Sequence, residues 1–498
     1  MKTCKWLLLL MTITVAMSCI NDNTTDAIRP ISYIKVEAGV DSIYNINKND
    51  TLIIRPVISQ TIADKDLSYA WEIDQVVISH EKDLFFIGNT LGKYCCRLIV
   101  SNEDGKTFFP FILHVNSPYE MGITILSVDT QGNSMLSFMQ DDKENTEFYR
   151  YDCFSRNNPD LHFAANAADI VQADGSLIIA CQGDNEGDTP PTIYYLNEKT
   201  MVVENMFTVP EYDDFKPTKL GIPRTTYSGT SYPVLCENGK VYEFSTTESA
   251  IAIPRKYKYR YAQSCIVNQD NGYEILLWDN ENNGLCLVTN GYGPYYCSKN
   301  YHLMLSDSAF KSKNHFNNRD LVAMAKINMT QAQKVETAQH NEMLVITSAS
   351  ENMVHSEVLY TDFWGYDYTI MTQTFPIVHA TQETITDIPL NERTPCIANR
   401  TFYSLLFAKG NTVFRWNYNS YLSRLANAQP LLEVGSNEAV ITGFEISDDH
   451  LRTYVTFYEP KQEGLNGSVW IFDTDKGSVL EKYDNICYRP VKMIYKNR

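Results

Sequence analysis

One short motif recurs through residues 119–498 and limits what this chain can fold into. It is a β-branched residue, an aromatic, any residue and a large apolar residue, bounded by polar turns. Copies stand at residues 192–197, 239–244, 411–416 and 467–473. Each follows, eight to ten residues or so behind, an apolar run at 176–180, 232–236, 403–407 or 453–457. Weaker copies pair 274–278 with 284–288 and 342–346 with 357–360. Almost no stretch of this region shows the apolar spacing of a helix.

A strand–turn–strand unit returning every ~45 to 65 residues cannot bury its sheet face alone. Copies must stack around an axis and the ring must close, which is the reading of a β-propeller. Units of about 55 residues give seven blades, and six fit nearly as well. The runner-up is a pair of further β-sandwiches in tandem. Ring closure commonly borrows a strand from the opposite terminus, and residues 122–128 are placed to join the final blade.

Residues 31–117 show a different pattern. Alternating or β-branched runs at 31–36, 51–57, 67–73, 92–100 and 108–115 are separated by turn signals such as Asn102-Glu103-Asp104-Gly105. Short strands at this spacing predict a β-sandwich. The pairing of Tyr69-x-Trp71 with Gly92-x-Tyr94 and Leu98-x-Val100-x-Asn102 resembles the PKD/immunoglobulin-like modules of bacterial surface proteins. That resemblance implies that Tyr69, Trp71 and Tyr94 are structural core residues. The fold class is therefore all-β, a PKD/Ig-like sandwich at 31–117 followed by a six- to seven-bladed propeller at 119–498.

The first residues set the expected location. Lys2 and Lys5 precede a short apolar run from Leu7 to Val15, and Ala16-Met17-Ser18 leads to Cys19. The run is shorter than the ~20 residues of a spanning helix and has the layout of a secretory signal. A signal that stops on Cys resembles the lipobox of bacterial lipoproteins, with Ala16 where that pattern prefers Leu. The resemblance implies that residues 1–18 are removed and that Cys19 is acylated, palmitate being one of the acyl groups. Residues 19–30, polar and ending at Pro30, read as a flexible tether. The expectation is a lipid-anchored outer-membrane protein of the cell envelope, facing either the cell surface or the periplasm.

Charge narrows the partners. The net charge is −18, and the loss of Lys2 and Lys5 makes it more negative still. Such a chain lacks the basic face that nucleic acid demands and the polybasic patch of an electrostatic membrane contact. Among 12 cysteines no CxxC and no zinc spacing occurs, so no metal or other cofactor is expected. The scattered thiols read as small buried hydrophobes. Cys95 and Cys96, adjacent on a strand, point to opposite faces.

No GxSxG, P-loop or HExxH is present, and no catalytic residue can be named. Oxygen-rich segments at 184–188, 279–284 and 473–477 lack the ligand alternation and distal Glu of a calcium loop, so they read as turns. Aromatic loops carry the functional signal. Residues 256–261 alternate cations with Tyr, which suits a strand, and 291–296 are Gly-rich and aromatic. The loop Asp362-Phe363-Trp364-Gly365-Tyr366-Asp367 joins stacking rings to carboxylates, as sugar recognition requires. Asp362, Trp364, Tyr366 and Asp367 are the candidate ligand-binding residues.

The order of lipobox, tether, PKD-like module and propeller resembles the PKD-like-family lipoproteins of glycan-foraging Gram-negative bacteria. The resemblance implies a non-catalytic accessory lipoprotein. Such a protein would bind carbohydrate, or a partner such as an outer-membrane transporter and its binding lipoproteins, through the propeller face. Residues 20–23 carry a single acid where surface-exported members carry a Lys- or acid-rich run, so the leaflet stays open. The alternative is a propeller-type glycan-degrading hydrolase or lyase, which requires carboxylates converging on the central channel.

Overall fold

A computed structural model describes residues 30–140, 149–173, 175–184, 189–208, 215–221, 224–226, 229–245, 250–252, 261–267, 274–279, 283–289, 301–302, 316, 318–328, 341–350, 353–361, 366–367, 372–373, 377–384, 391–418 and 423–496. The chain divides between Pro118 and Tyr119 into two compact units. Cys19 and the rest of residues 1–29 lie outside the described residues.

The first unit is a β-sandwich. One layer is a five-stranded sheet in the order Ile43–Asn47, Gly105–Asn116, Gly92–Asn102, Ser68–Ile73, Val76–Ser79. Its first pair is parallel and the others antiparallel. Two small sheets, Ile34–Ala38 with Val57–Gln60 and Thr51–Ile54 with Leu84–Ile87, supply the opposing face. Alternation does the sorting: Cys96, Leu98 and Val100 point inward from one strand and Phe111, Leu113 and Val115 from its neighbour. They meet Ile34, Leu52, Ile54 and Leu84 in one core. Trp71 is 1% exposed in that core, edge-on to Phe111, and its Nε1 donates to the Glu81 carbonyl at 3.0 Å. Tyr69 and Tyr94 are half-buried and pack at its margin.

The run 51–57, continuous in the sequence, is two strands in the structure. Pro56 has no N–H to give a ladder, and the chain changes sheets there. Gly39 makes the crossing feasible: at φ 82°, any Cβ on it would stand 2.2 Å from the Arg55 carbonyl oxygen.

The second unit is a β-propeller whose described residues form seven blade sheets, each a four-stranded antiparallel meander or an elaboration of one, and one separate two-stranded sheet. Six follow chain order, with innermost strands Ala167–Ala173, Pro217–Leu220, Tyr261–Val267, Asp320–Ile327, Cys396–Asn399 and Val440–Ile446. We number the blades so that these are blades 2 to 7. Blade 1 is composite: Arg489–Lys496 lies innermost, followed by Gly122–Val128, Ser134–Gln140 and Tyr149–Arg150. The innermost strands touch in sequence from blade 1 through blade 7 and back to blade 1, so the ring is closed.

This corrects one expectation. Residues 122–128 do not join the final blade, because residues 440–487 already supply its four strands. The leftover strand Arg489–Lys496 instead completes the first blade, with Gly122 opposite Lys496 and Val128 opposite Arg489.

The second and third strands of a blade are sandwiched between neighbouring blades. Leu177 to Cys181, Thr192 to Tyr195, Ser404 to Ala408 and Gly467 to Phe472 are accordingly buried without a break. The outermost strands, such as Val203–Thr208, are largely exposed. Separate apolar layers fill the space between blades, including those between blades 1 and 2, 2 and 3, 5 and 6, 6 and 7, and 7 and 1. Each fully buried Leu, Ile or Phe in them contributes roughly 1.5–3 kcal/mol. Cys181 and Cys487 sit in these layers and Cys96 in the sandwich core. Burial pushes the Cys96 thiol up to about 11 and the other two upward as well. Lys496 fastens the closing strand: its buried Nζ donates to the Tyr119 carbonyl at 2.5 Å and to the Glu198 carbonyl.

Candidate functional site at one end of the propeller

The innermost strands all run the same way, so each end of the ring gathers one kind of loop. One end collects the links from an outermost strand to the next innermost strand, together with the turns between second and third strands. At that end, blades 6, 7 and 1 enclose a groove of about 700 Å³. Three walls build it. The loop before Cys396–Asn399 contributes Asn391, Arg393, Thr394 and Pro395, and the Lys409–Gly410 turn contributes the second wall. The third comprises the starts of Val440–Ile446 and Arg489–Lys496, with Tyr458 beside them.

Backbone bonds hold these segments in place. Residues 391–394 form a turn in which Thr394 N donates to the Asn391 carbonyl at 3.0 Å and Arg393 N to Asn391 Oδ1 at 2.9 Å. Ala408 N donates to the Pro395 carbonyl at 3.0 Å, and Ile441 N to the Gly410 carbonyl at 3.2 Å. The frame is set before any ligand arrives, as binding loops on a rigid scaffold require. Arg393, Lys409 and Arg489 are exposed, and Tyr458 is half-buried.

Two of the strands that open at the groove also carry charge into the interior of the ring. Three residues beyond Thr442 and one beyond Val491 lie Glu445 and Lys492. Lys492 Nζ is 2.7 Å from Asp169 Oδ1 on the next innermost strand. Burial pushes the Glu445 carboxyl up to about 7, against the pull of the Ile446 N–H and the Lys492 charge, while Asp448 pushes the same way as burial. The surroundings of Glu445 are protein on nearly all sides, but some solvent contact remains. A carboxylate so placed can hold or release a proton near neutral pH.

The residues singled out from sequence fall elsewhere. Asp362 and Trp364 lie outside the described residues. Tyr366–Asp367 form a two-residue strand paired with Thr372–Gln373, within the connection between the third and fourth strands of blade 5. Such connections gather at the end of the ring opposite the groove. Residues 256–260 and 291–296 also lie outside the described residues. Of the oxygen-rich segments, 473–477 is a turn: Asp473 Oδ1 accepts from Asp475 N at 3.1 Å and Lys476 N at 2.8 Å, with Gly477 at φ 69°. Sequence reasoning missed the groove because its residues are far apart in the chain and follow no motif.

No protein-family model and no curated protein sequence matches this chain. Solved structures do. A quinonprotein alcohol dehydrogenase-like protein from Bacteroides thetaiotaomicron is 14% identical, covering 93% of this chain and 99% of its own, with a TM-score of 0.47. The β-propeller domain of Cps50 (Swd1) from Myceliophteria thermophila is 10% identical over 65% of this chain and 88% of its own, with a TM-score of 0.39. These likenesses concern fold alone and bring no activity to this chain.

Proposed function

We propose that this chain is a cell-envelope lipoprotein of the PKD-like type, acylated at Cys19, that captures a glycan at an end of its propeller. The observation that carries the reading is the preformed groove over blades 6, 7 and 1, with the Tyr458 ring and donors from Asn391 and Arg489 on its walls. Its volume of about 700 Å³ falls in the usual range for ligand sites. Capture serves an outer-membrane transporter and its binding lipoproteins. Exposed Ile53, Phe85 and Ile87 on the first unit offer apolar surface for a protein contact of that kind. The loop around Trp364 is proposed as a second sugar contact at the other end of the ring.

The test is an affinity panel of plant and host polysaccharides against the processed chain, with Tyr458→Ala and Trp364→Ala beside it. Binding lost in Tyr458→Ala supports the groove, and binding lost in Trp364→Ala supports the loop. If no polysaccharide binds, the glycan reading falls and a protein adaptor takes its place.

A second reading, a propeller-type hydrolase or lyase, is favoured by Glu445, a carboxyl pushed up to about 7 by burial on a strand whose first residues line the groove. It requires bond cleavage that Glu445→Gln abolishes while binding persists. Bound glycan recovered at its original length would rule it out.

A further inference from the structure

The chain enters the first unit at Ser32, which is 3% exposed. Its N–H donates to Asp104 Oδ2 at 2.8 Å, and its carbonyl accepts from Asn102 Nδ2 at 3.1 Å. Its hydroxyl accepts from Ile62 N at 3.1 Å. Asn102 and Asp104 belong to the turn that joins Gly92–Asn102 to Gly105–Asn116, the longest strand pair of the sandwich. Asn102 Oδ1 fixes that turn, accepting from Asp104 N at 2.9 Å and Gly105 N at 3.1 Å, as Asn does at tight turns. Lys65 Nζ donates to Asp104 Oδ2 and lies 2.8 Å from Glu103 Oε1, so the largely buried Asp104 carboxylate has its charge met. The strand after Ser32 has much less to hold it. Ile34–Ala38 pairs with Val57–Gln60 in a two-stranded sheet, over four residue pairs, and the register shifts between Val36 and Ala38.

We propose that the turn Asn102–Gly105 is a mechanical latch, through which tension on the chain ahead of Ser32 passes directly into the strand Gly105–Asn116. That strand begins at the latch and ends at Asn116, beside the Ser117-Pro118 link to the second unit. The load therefore crosses from Ser32 to the turn through two side chains, runs the length of one strand and leaves at its far end. Ile34–Ala38 is bypassed. Without the latch, tension would fall first on its four-pair ladder, and the N-terminal strand would peel away before the core was loaded. The bond to Asp104 is the strong member, because its acceptor is ionised and shielded from water. The source of the tension rests on the lipoprotein reading: a chain acylated at Cys19 and holding a large glycan by its second unit is pulled at both ends of the first.

Single-molecule force spectroscopy on the processed chain, held at its two termini, tests the latch. Drawn out, residues 31–117 add about 30 nm and the second unit more than about 100 nm, so the length of each release identifies the unit. In the parent the first unit should give way in one step. Asn102→Ala and Asp104→Ala should each add an early step of about 4 nm, the length of residues 31–42 drawn out. Asp104→Asn keeps an acceptor for Ser32 N and loses the charge facing Lys65, so its early step should be rarer. Val100→Ala, a core change on the neighbouring strand, should lower the force of the main step and add no early one, which separates a latch from general stability. Forced release follows the unfolding barrier, and urea unfolding of each variant checks that the fold is intact. A parent that shows the early step overturns the proposal. So does a combined Asn102→Ala and Asp104→Ala variant that gives way in the parent's single step. If the alanine variants do not fold, Asp104→Asn decides the matter in the same way. Membrane fractionation of Cys19→Ala reads the anchor separately, so a missing anchor and a latch that bears no load are told apart.

Discussion

Asp169 and Lys492 are joined at 2.7 Å although the last strand of the chain carries one and the second blade carries the other. The second oxygen of Asp169 accepts from Leu220 N at 2.7 Å, so one carboxylate ties blades 1, 2 and 3 together beside the axis. Asp169→Ala leaves an ammonium and a buried N–H without this partner. The expected loss is about 2–4 kcal/mol, with Asp169→Asn milder because it can still accept from Leu220. Urea unfolding of the full chain measures it. A loss under about 0.5 kcal/mol, the size of an ordinary surface change, would show that the pair contributes little to closure.

Trp71 makes the corresponding prediction for the first unit. The ring is 1% exposed and packs against Phe111, while its indole N–H is satisfied by Glu81. Trp71→Ala should cost about 3–5 kcal/mol of that unit's stability. Trp71→Phe, which keeps most of the volume, should recover more than half. Acrylamide quenching of Trp71 in a variant lacking the other tryptophans gives an independent check, since a readily quenched ring is incompatible with its burial.

What the sequence disclosed follows from where each strand lies. All six repeat copies map to the second and third strands of blades 2 to 7, because those strands are covered on both faces and stay apolar along their length. Blade 1 was ambiguous for a physical reason. Its innermost strand comes from residues 489–496 and its others from 122–150, so no contiguous stretch repeats the unit. The outermost strands were faint because one side meets water, as in Val203–Thr208. The groove was illegible altogether. Arg393, Lys409, Tyr458 and Arg489 are ordinary polar residues in a turn and at strand ends, and only ring closure brings the last of them beside the first.

The anchor is a prediction about processing. If Cys19 is the acylated residue, Cys19→Ala should leave the signal uncleaved or release the protein from membranes. Fractionation of cells after a high-salt wash, with radiolabelled palmitate incorporation alongside, checks both outcomes. Cys19→Ala protein that is still labelled and still membrane-bound would refute the lipoprotein reading.

Glu445 gives the pH dependence. Its carboxyl titrates near 7 in the folded chain against an ordinary value of 4.5, raised chiefly by burial. Between those two values the folded state holds a proton that the unfolded chain has released. Its contribution is therefore most favourable below about pH 4.5 and is lost as pH rises toward 7, by up to about 3 kcal/mol. Residual solvent contact reduces this toward 1 kcal/mol or so. Glu445→Gln cannot ionise, so the variant should match the parent at pH 4.5 and exceed it by about 1–3 kcal/mol at pH 8. Denaturant unfolding of both proteins at pH 4.5, 6 and 8 measures the difference. A gap between variant and parent that is constant across the three values would mean that the carboxyl titrates as it does in water and that the ring does not strip its solvent.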